Sequence, residues 1–293
     1  MLRPFALEEP TTVAEASALL ARYGESARLY AGGTELLLVM KEGLVHYDRL
    51  VNLKTIPGLR GIRYEGGRLR IGATTTHRAL ETSPVVREHF PAIAEMAHDV
   101  ANVRVREVGT LGGNLCFAEP HADPGTLLLV FGARVRAERA SGARRIPLEA
   151  FFTAPYTTAL EPDEVLTEVE VPALPPRSAA VYRKFGILER PSVGVAVALT
   201  LSADGAGFDD VRIAVGCVGP VPRRMPEAER LLKGCGVEEA LARLGEAGAA
   251  AGRAAEAISD LHGSADYKAH LVGVLLARAV RQAYRSLTDG RGQ

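Results

Sequence analysis

The first part of the chain combines a helical repeat of apolar residues with a strand, a glycine turn and a second helix. Residues 13–23 are predicted to form an amphipathic helix, and Gly24 suits a left-handed helix end. Thr12 and Glu15 form a capping-box pattern at the start of this helix. A short strand over 28–30 then runs into the glycines of AGGTEL and another apolar helix. This strand, turn and helix are the first feature that bears on function.

Strands and short helices alternate through the middle of the chain. Apolar residues alternate on either side of Gly66 and Gly67, which predicts a β-hairpin with one buried face. Thr76 suits the cap of a helix that begins at His77. The pattern then predicts, in order, a helix over 91–100, a glycine-rich loop in VGTLGGN, an apolar run over 126–131, and strands over 133–138 and 164–171.

The C-terminal part has the pattern of a separate lobe. Pro172, Pro175 and Pro176 form the strongest break in the chain and mark a candidate boundary. Beyond it, VGVAVALTL and VRIAVGCVG have the β-branched composition of buried strands. Helices are predicted after them, over 237–258 and 266–287. We therefore expect an α+β fold.

Composition narrows the class of protein. A chain of 293 residues is too long for one small core, so two or three lobes are expected. The formal net charge is zero, which argues against a nucleic-acid partner. No run approaches the roughly 20 apolar residues of a membrane span, so a cytoplasmic protein is predicted. The three cysteines do not have metal-binding or iron–sulfur spacing, and no metal site is predicted.

The segment from Leu29 to Leu36, LYAGGTEL, is the first candidate binding site. Glycines let backbone amides approach a phosphate closely, and the start of the following helix adds a positive dipole. A diphosphate would fit this turn. An ordinary strand-to-helix turn is the alternative, since Gly-Gly-Thr is common at such positions.

A second glycine loop, from Gly109 to Asn114, is followed by Asp123. Its threonine, paired glycines and amide offer donors to flavin or phosphate oxygens, and Asp123 suits ribose hydroxyls. The alternative is a glycine turn before a helix, with Asp123 as a helix cap beside Pro124. Neither loop matches GxGxxG, so a Rossmann NAD site is poorly supported. We expect instead that amides of both turns converge on one diphosphate.

The two loops and a third segment bring a family into view. The three segments are AGGTEL after a short strand, VGTLGGN with Asp123 downstream, and FFTAPYTTALEPDEVLTEVEVP leading to Tyr182-Arg183-Lys184. In this order and spacing, the chain resembles the FAD-binding medium subunit of the molybdenum hydroxylases, the enzymes related to xanthine dehydrogenase and aerobic carbon monoxide dehydrogenase. The resemblance runs over essentially the whole chain.

The resemblance implies a fold and a domain division. It implies a two-subdomain FAD-binding fold of the vanillyl-alcohol-oxidase (PCMH) type. A C-terminal α+β lobe like that of the carbon monoxide dehydrogenase flavoprotein would follow. The implied parts are FAD-binding subdomain 1 over 1–55, FAD-binding subdomain 2 over 56–174, and a C-terminal domain over 177–293.

The resemblance also implies the residues that contact FAD. Around the diphosphate it places Leu29, Tyr30, Ala31, Gly32, Gly33, Thr34, Glu35 and Leu36. To the isoalloxazine and diphosphate it assigns Thr110, Gly112, Gly113 and Asn114. It places Asp123 near the adenosine ribose, a backbone contact at Leu166, and Lys184 beside the flavin. A cation there would stabilise the negative charge of the reduced flavin, whereas the alternative is an exposed lysine on a strand edge.

Three departures from the family pattern refine the expectation. Relatives often carry an aromatic residue near the flavin after the Lys184 segment, where this chain reads Glu189-Arg190-Pro191-Ser192. The cysteine-rich loop of relatives that reduce aromatic thioesters does not occur here. Other flavoproteins of the wider fold attach FAD through a histidine in the first loop, which has none here, so non-covalent binding is predicted.

The function implied by the resemblance is electron transfer within a complex. A small subunit would carry two [2Fe–2S] clusters and a large subunit the molybdopterin cofactor, assembled as a dimer of heterotrimers. This chain would take electrons from the clusters and pass them to an external acceptor. No catalytic constellation is evident in the sequence, which disfavours the alternative of a stand-alone flavin oxidoreductase with its own substrate. A flavin-free scaffold is a third possibility if both glycine loops are ordinary turns.

Overall fold

The computed structural model describes residues 2–186 and 190–289. The chain divides into two compact units, and the division is not a single cut. The first unit extends to Ala118 and resumes over Ala133–Pro172. The second unit takes Glu119–Gly132 and the chain from Ala173 onwards. Both units mix helices and strands, which confirms the α+β class, whereas the three-part division expected from the sequence stays a prediction.

The first unit contains short helices and three sheets. Its helices are α1 (Val13–Tyr23), α2 (Leu36–Lys41), α3 (His77–Thr82), α4 (Pro84–His89), α5 (Pro91–Asp99), α6 (Val103–Val108) and α7 (Leu111–Phe117). Its strands are β1 (Ala6–Glu8), β2 (Ala27–Tyr30), β3 (Arg49–Asn52), β4 (Ile62–Glu65), β5 (Arg68–Gly72), β6 (Arg134–Arg139), β7 (Gly142–Pro147), β8 (Phe152–Ala154), β9 (Thr157–Thr158) and β10 (Val165–Pro172).

The N-terminal part of the first unit is a small parallel sheet, in the order β1-β3-β2. Helix α1 begins as the sequence predicts, because the Thr12 hydroxyl accepts a hydrogen bond from the Glu15 amide at 3.1 Å. The Glu15 carboxylate accepts from the Thr11 amide at 2.7 Å, and backbone hydrogen bonds from Thr11 and Thr12 lower the pKa of Glu15. Ala16, Leu20 and Val51 are buried together in the core below.

The larger sheet of the first unit is antiparallel, in the order β4-β5-β10-β6-β7. The hairpin of β4 and β5 turns at Gly66 and Gly67, both with positive φ, as the sequence predicts. Side chains alternate between the two faces of the central strands. On β5 and β10 the apolar members of this alternation are fully buried: Leu69, Ile71, Val169 and Val171.

A buried carboxylate connects three helices of the first unit. Glu81 of α3 accepts hydrogen bonds from Arg78 at 2.7 Å and from Arg106 of α6 at 3.1 Å, and it lies 3.0 Å from His98 of α5. Burial alone would raise the pKa of Glu81. The hydrogen bonds from His98 and Arg78 and the charges of Arg106 and Arg78 outweigh this and lower the pKa from 4.5 to about 2.

We expect this cluster to make the first unit acid-sensitive. The pKa of Glu81 is lower in the folded chain, so its stabilising contribution is complete above pH 4.5 and disappears as the pH falls towards 2. Glu81→Gln should lower the free energy of unfolding at pH 7 by about 1–2 kcal/mol and flatten its loss between pH 5 and 3. Urea unfolding at pH 7, 5 and 3 measures this effect. The exposed Glu95→Gln is the control, and equal behaviour of the two variants would contradict the assignment.

The second unit is an antiparallel sheet with helices packed on it. Its strands are β11 (Ser178–Phe185), β12 (Val193–Leu201), β13 (Phe208–Gly216) and β14 (Arg223–Arg224), paired in that order. Its helices are α8 (Asp123–Phe131), α9 (Pro226–Leu232), α10 (Val237–Ala242), α11 (Leu244–Ala254) and α12 (Ala265–Asp289). Helices α8 and α12 both contact β12, which explains why that strand is buried almost continuously instead of at alternate positions.

The C-terminal helices differ in one respect from the sequence prediction. The single helix predicted over 237–258 is wrong, because Arg243 leaves the helical conformation at φ −84° and ψ 0° and separates α10 from α11. Helix α11 packs closely on α12, since a Cβ atom on Gly248 would lie 2.8 Å from the Cα atom of Gly273. Within the described residues, every helix is too short or too polar to cross a membrane.

Candidate cofactor site

The first glycine loop lies in the first unit, between β2 and α2. Leu29 and Tyr30 end strand β2, paired with Val51 and Asn52 of β3. The loop turns at Gly33, whose φ of +73° is a left-handed conformation that favours glycine. Helix α2 begins at Leu36, and no side chain caps it. Residues 31–37 are half-buried, so this turn is neither core nor fully exposed surface.

The first loop leaves backbone donors without acceptors. The amides of Gly32, Gly33 and Thr34 donate no hydrogen bond to any residue in the part of the chain that the structure describes. In an ordinary turn such groups would be solvated, whereas in a half-buried turn they are available to an anionic ligand. The first loop therefore has the donors that a diphosphate requires.

The second glycine segment forms the first turn of helix α7. The expected loop is wrong in this respect, because the Thr110 hydroxyl accepts from the Gly113 amide at 3.1 Å and caps a helix that begins at Leu111. The amide of Leu111 donates to the Thr75 carbonyl and that of Gly112 to the Ala73 carbonyl, both at 2.9 Å. These amides already have acceptors, which corrects the expectation that both turns offer amides to one diphosphate.

The two glycine segments are nevertheless in direct contact. A Cβ atom on Gly32 would overlap the carbonyl oxygen of Val108 and lie 2.8 Å from the Cα atom of Gly109. A Cβ atom on Gly113 would lie 3.9 Å from that of Ala31. Only glycine at position 32 allows the backbones to approach so closely. The structure thus brings together segments about eighty residues apart in sequence, as a shared binding site requires.

Asn114, which follows Gly113 in helix α7, has a polar atom without a partner among the described residues. Its Oδ1 is buried and has no hydrogen-bond partner among the described residues. A buried polar atom left in this state costs about 1–3 kcal/mol, so such atoms in native proteins call for an explanation. An oxygen acceptor suits an N–H or O–H group of a ligand, whereas the amides of the first loop suit phosphate oxygens. FAD carries both kinds of group.

Leu166 lies in the same unit as the two glycine segments. It is buried on β10, next to a register shift between Leu166 and Glu168 in the pairing with β6. Strand β10 contacts α7, the helix that carries Gly112, Gly113 and Asn114. The predicted residues of the first unit therefore lie on elements that pack against one another.

Asp123 and Lys184 lie in the second unit and form an ion pair. The Asp123 carboxylate accepts from the Tyr182 hydroxyl at 2.8 Å and from Lys184 Nζ at 3.1 Å. Burial and the neighbouring Asp123 charge raise the pKa of Tyr182, so that the hydroxyl stays protonated as a donor. Asp123 is the first residue of α8 and not its cap, which is Ala122. With its side chain 21% exposed and paired, Lys184 is not the free edge lysine that was the alternative.

Sequence reasoning did not select two residues that shape this junction. Gly109 begins the second glycine segment and is not among the predicted FAD contacts, although its backbone touches the first loop. His77, predicted only as the start of a helix, has a buried ring beside Gly109, and its Nδ1 has no partner among the described residues. The sequence signal next to His77 is Thr76, which caps helix α3 and so fixes His77 as its first residue. Glu189, in the segment expected near the flavin ring, lies outside the described residues.

The family matches, together with the fold, define a flavin-binding redox subunit. Residues 3–174 match the family described as the FAD binding domain in molybdopterin dehydrogenase. Residues 190–283 match the CO dehydrogenase flavoprotein C-terminal domain. The chain therefore belongs to the family of FAD-binding subunits of the molybdenum hydroxylases, and it is an oxidoreductase subunit.

Individual relatives cover nearly the whole chain. It is 35% identical over 281 residues to the carbon monoxide dehydrogenase medium chain of Hydrogenophaga pseudoflava, covering 96% of this chain and 97% of that one. The nicotine 6-hydroxylase medium subunit of Paenarthrobacter nicotinovorans is 34% identical over 277 residues, covering 94% and 95%. A solved structure of the Hydrogenophaga pseudoflava carbon monoxide dehydrogenase, lacking the Mo-pyranopterin moiety, matches with a TM-score of 0.93, 35% identity, and coverage of 97% and 98%.

Proposed function

We propose that this chain is the electron-transfer subunit of a molybdenum-containing hydroxylase or dehydrogenase complex. It takes electrons from [2Fe–2S] clusters of a partner subunit and delivers them to an external acceptor. The observation that carries the proposal is the contact between Gly32 and Gly109. Within the described residues, the first-loop amides and Asn114 Oδ1 of the second segment have no hydrogen-bond partner. These features fit the FAD that the family binds.

Each predicted residue has a role in this proposal. The amides of Gly32, Gly33 and Thr34 hold the diphosphate, and Asn114 Oδ1 accepts from an N–H or O–H group of the cofactor. The flanking predicted residues line the same site: Leu29, Tyr30, Ala31, Glu35, Leu36, Thr110, Gly112, Gly113 and Leu166. FAD binds non-covalently and supplies a carrier for one or two electrons.

Lys184 contributes positive charge beside the flavin in this proposal, and Asp123 moderates it. The carboxylate of Asp123 is fixed from two sides by Tyr182 and Lys184, so that its position relative to the lysine is defined. A fixed cation stabilises negative charge on a reduced cofactor without reorganisation. Asp123 therefore adjusts the strength of this charge in addition to any contact with the ribose.

The assembly is the finer part of the proposal. A large molybdopterin subunit performs the hydroxylation, a small subunit carries the [2Fe–2S] clusters, and two heterotrimers associate. Within this chain, the proposed functional parts are FAD-binding regions over 1–55 and 56–174 and a C-terminal domain over 177–293. A cytoplasmic location completes the proposal, and cell fractionation tests it.

Purification of the tagged full-length chain from its own cells tests the function. We expect one FAD per chain, released intact by acid, and two copurifying subunits with the absorbance of [2Fe–2S] clusters and with bound molybdopterin. Substrate of the complex should bleach the flavin only when the partners are present. Flavin reduction by substrate in the isolated chain would contradict the proposal in favour of a self-contained oxidoreductase. A folded but colourless chain that ignores added FAD would contradict it altogether.

A further inference from the structure

A buried histidine lies beside the contact between the two glycine segments. His77 is the first residue of α3 and only 2% exposed. Its amide donates to the Gly109 carbonyl at 3.0 Å, and Thr76 forms a β-bridge with Thr110. Residues 75–77 are thus hydrogen-bonded alongside residues 109–111, which contain the start of α7. The position of His77 and that of the second segment are mechanically linked.

The imidazole ring extends this link to the first loop. A Cβ atom on Gly109 would lie 3.4 Å from His77 Cδ2 and 3.5 Å from Thr34 Oγ1. Gly109 in turn lies within 2.8 Å of the position that a Cβ atom on Gly32 would take. The imidazole ring and the Thr34 hydroxyl of the first loop therefore both lie next to Gly109, on the side where a Cβ atom would project.

The surroundings of the His77 ring determine its charge. Burial, and then the nearby charge of Arg106 on α6, lower the pKa of His77 to about 4, so the imidazole is neutral at neutral pH. Arg106 forms an ion pair with Glu81, which also binds Arg78 and His98 of α5. These charged groups therefore pair with one another. The Nδ1 atom has no partner in the part of the chain described.

We propose that His77 is a positioning residue of the FAD site, whose buried ring holds Gly109 against Gly32 and so fixes the distance between the two glycine segments. The inference rests on the proposed placement of FAD at these segments. It assigns His77 no contact with the cofactor. A neutral aromatic ring of similar size should therefore replace it, whereas a small side chain should not.

Three variants of the full-length chain test the inference, with the FAD dissociation constant measured by fluorescence titration of the folded protein. His77→Ala should weaken FAD binding about tenfold or more, the range typical of residues that orient a binding group. His77→Phe should restore the wild-type constant within about threefold, a difference well below 1 kcal/mol. Leu80→Ala, at a fully buried position on the same helix, should destabilise the chain without changing the constant.

The results separate this inference from the proposed function. If His77→Ala binds FAD like the wild type, or if His77→Phe fails as badly as His77→Ala, the positioning role is wrong. If Leu80→Ala weakens binding as much as His77→Ala, the effect is general destabilisation, which also overturns the role. If the wild-type chain itself binds no FAD, the proposed function fails first. Unfolding in urea confirms that each variant is folded under the conditions of the titration.

Discussion

Gly32→Ala should reduce FAD affinity about a hundredfold or more, a loss that displacing a binding group by about 1 Å can produce. The new methyl group would overlap the Val108 carbonyl and approach the Cα atom of Gly109. Both obstacles are backbone atoms, so no side-chain rotation relieves the clash and the two segments must separate. Equilibrium dialysis with FAD, or retention of the flavin absorbance through gel filtration, measures the loss.

Gly245→Ala is the matched control for this substitution. Gly245 lies in α11, and a Cβ atom there would meet nothing within 4 Å. Gly245 is the second residue of α11, where alanine loses less backbone entropy on folding than glycine does, so this variant should be at least as stable as the wild type and bind FAD normally. Wild-type flavin content in Gly32→Ala would show that the cofactor lies elsewhere on the chain.

Asn114→Leu should change stability and cofactor binding in opposite directions. The leucine removes the buried Oδ1, which has no partner in the part of the chain that the structure describes, so the free energy of unfolding of the FAD-free chain should stay the same or rise by about 1 kcal/mol. FAD loses the same acceptor and should bind about 10–100-fold more weakly. Thermal unfolding without flavin and titration with flavin give the two values separately.

Asn114→Asp sharpens this test because it keeps the size of the side chain and an acceptor oxygen. If Oδ1 accepts from the cofactor, the aspartate should bind FAD better than the leucine does. A leucine variant that is less stable without flavin would show that Asn114 has a structural partner. A leucine variant with unchanged FAD affinity would remove Asn114 from the site.

Local signals predicted the elements around the site well. The side chains of Thr12 and Thr76 cap helices as expected, and Gly66 with Gly67 turns the hairpin, because each of these effects depends on neighbouring residues alone. The start of α7 was missed because glycine disfavours helices. Bonds from Leu111 and Gly112 to Thr75 and Ala73 hold the helix there, and no local pattern reveals them.

The residues of the site could likewise be predicted where the signal is local, but not where it depends on contacts between distant residues. The two glycine segments could be identified from their residues and from the family resemblance. Which amides remained free could not, since that depends on hydrogen bonds between residues distant in sequence. The role proposed for His77 depends likewise on its position next to Gly109, about thirty positions away in sequence. The ion pair of Asp123 and Lys184 joins residues separated by 61 positions.

Helix α8 and the strands on which it packs are far apart along the chain. All nine of its residues are buried, and it packs on β12 and β13, which lie much later in the sequence. When synthesis has reached Pro172, helix α8 is complete, but the strands β12 and β13 that cover it have not yet been synthesised. Helix α8 lies in the segment that separates the two parts of the first unit along the chain, but it packs on strands of the C-terminal half. If the chain were divided at the proline cluster, α8 and the strands that cover it would lie on different fragments.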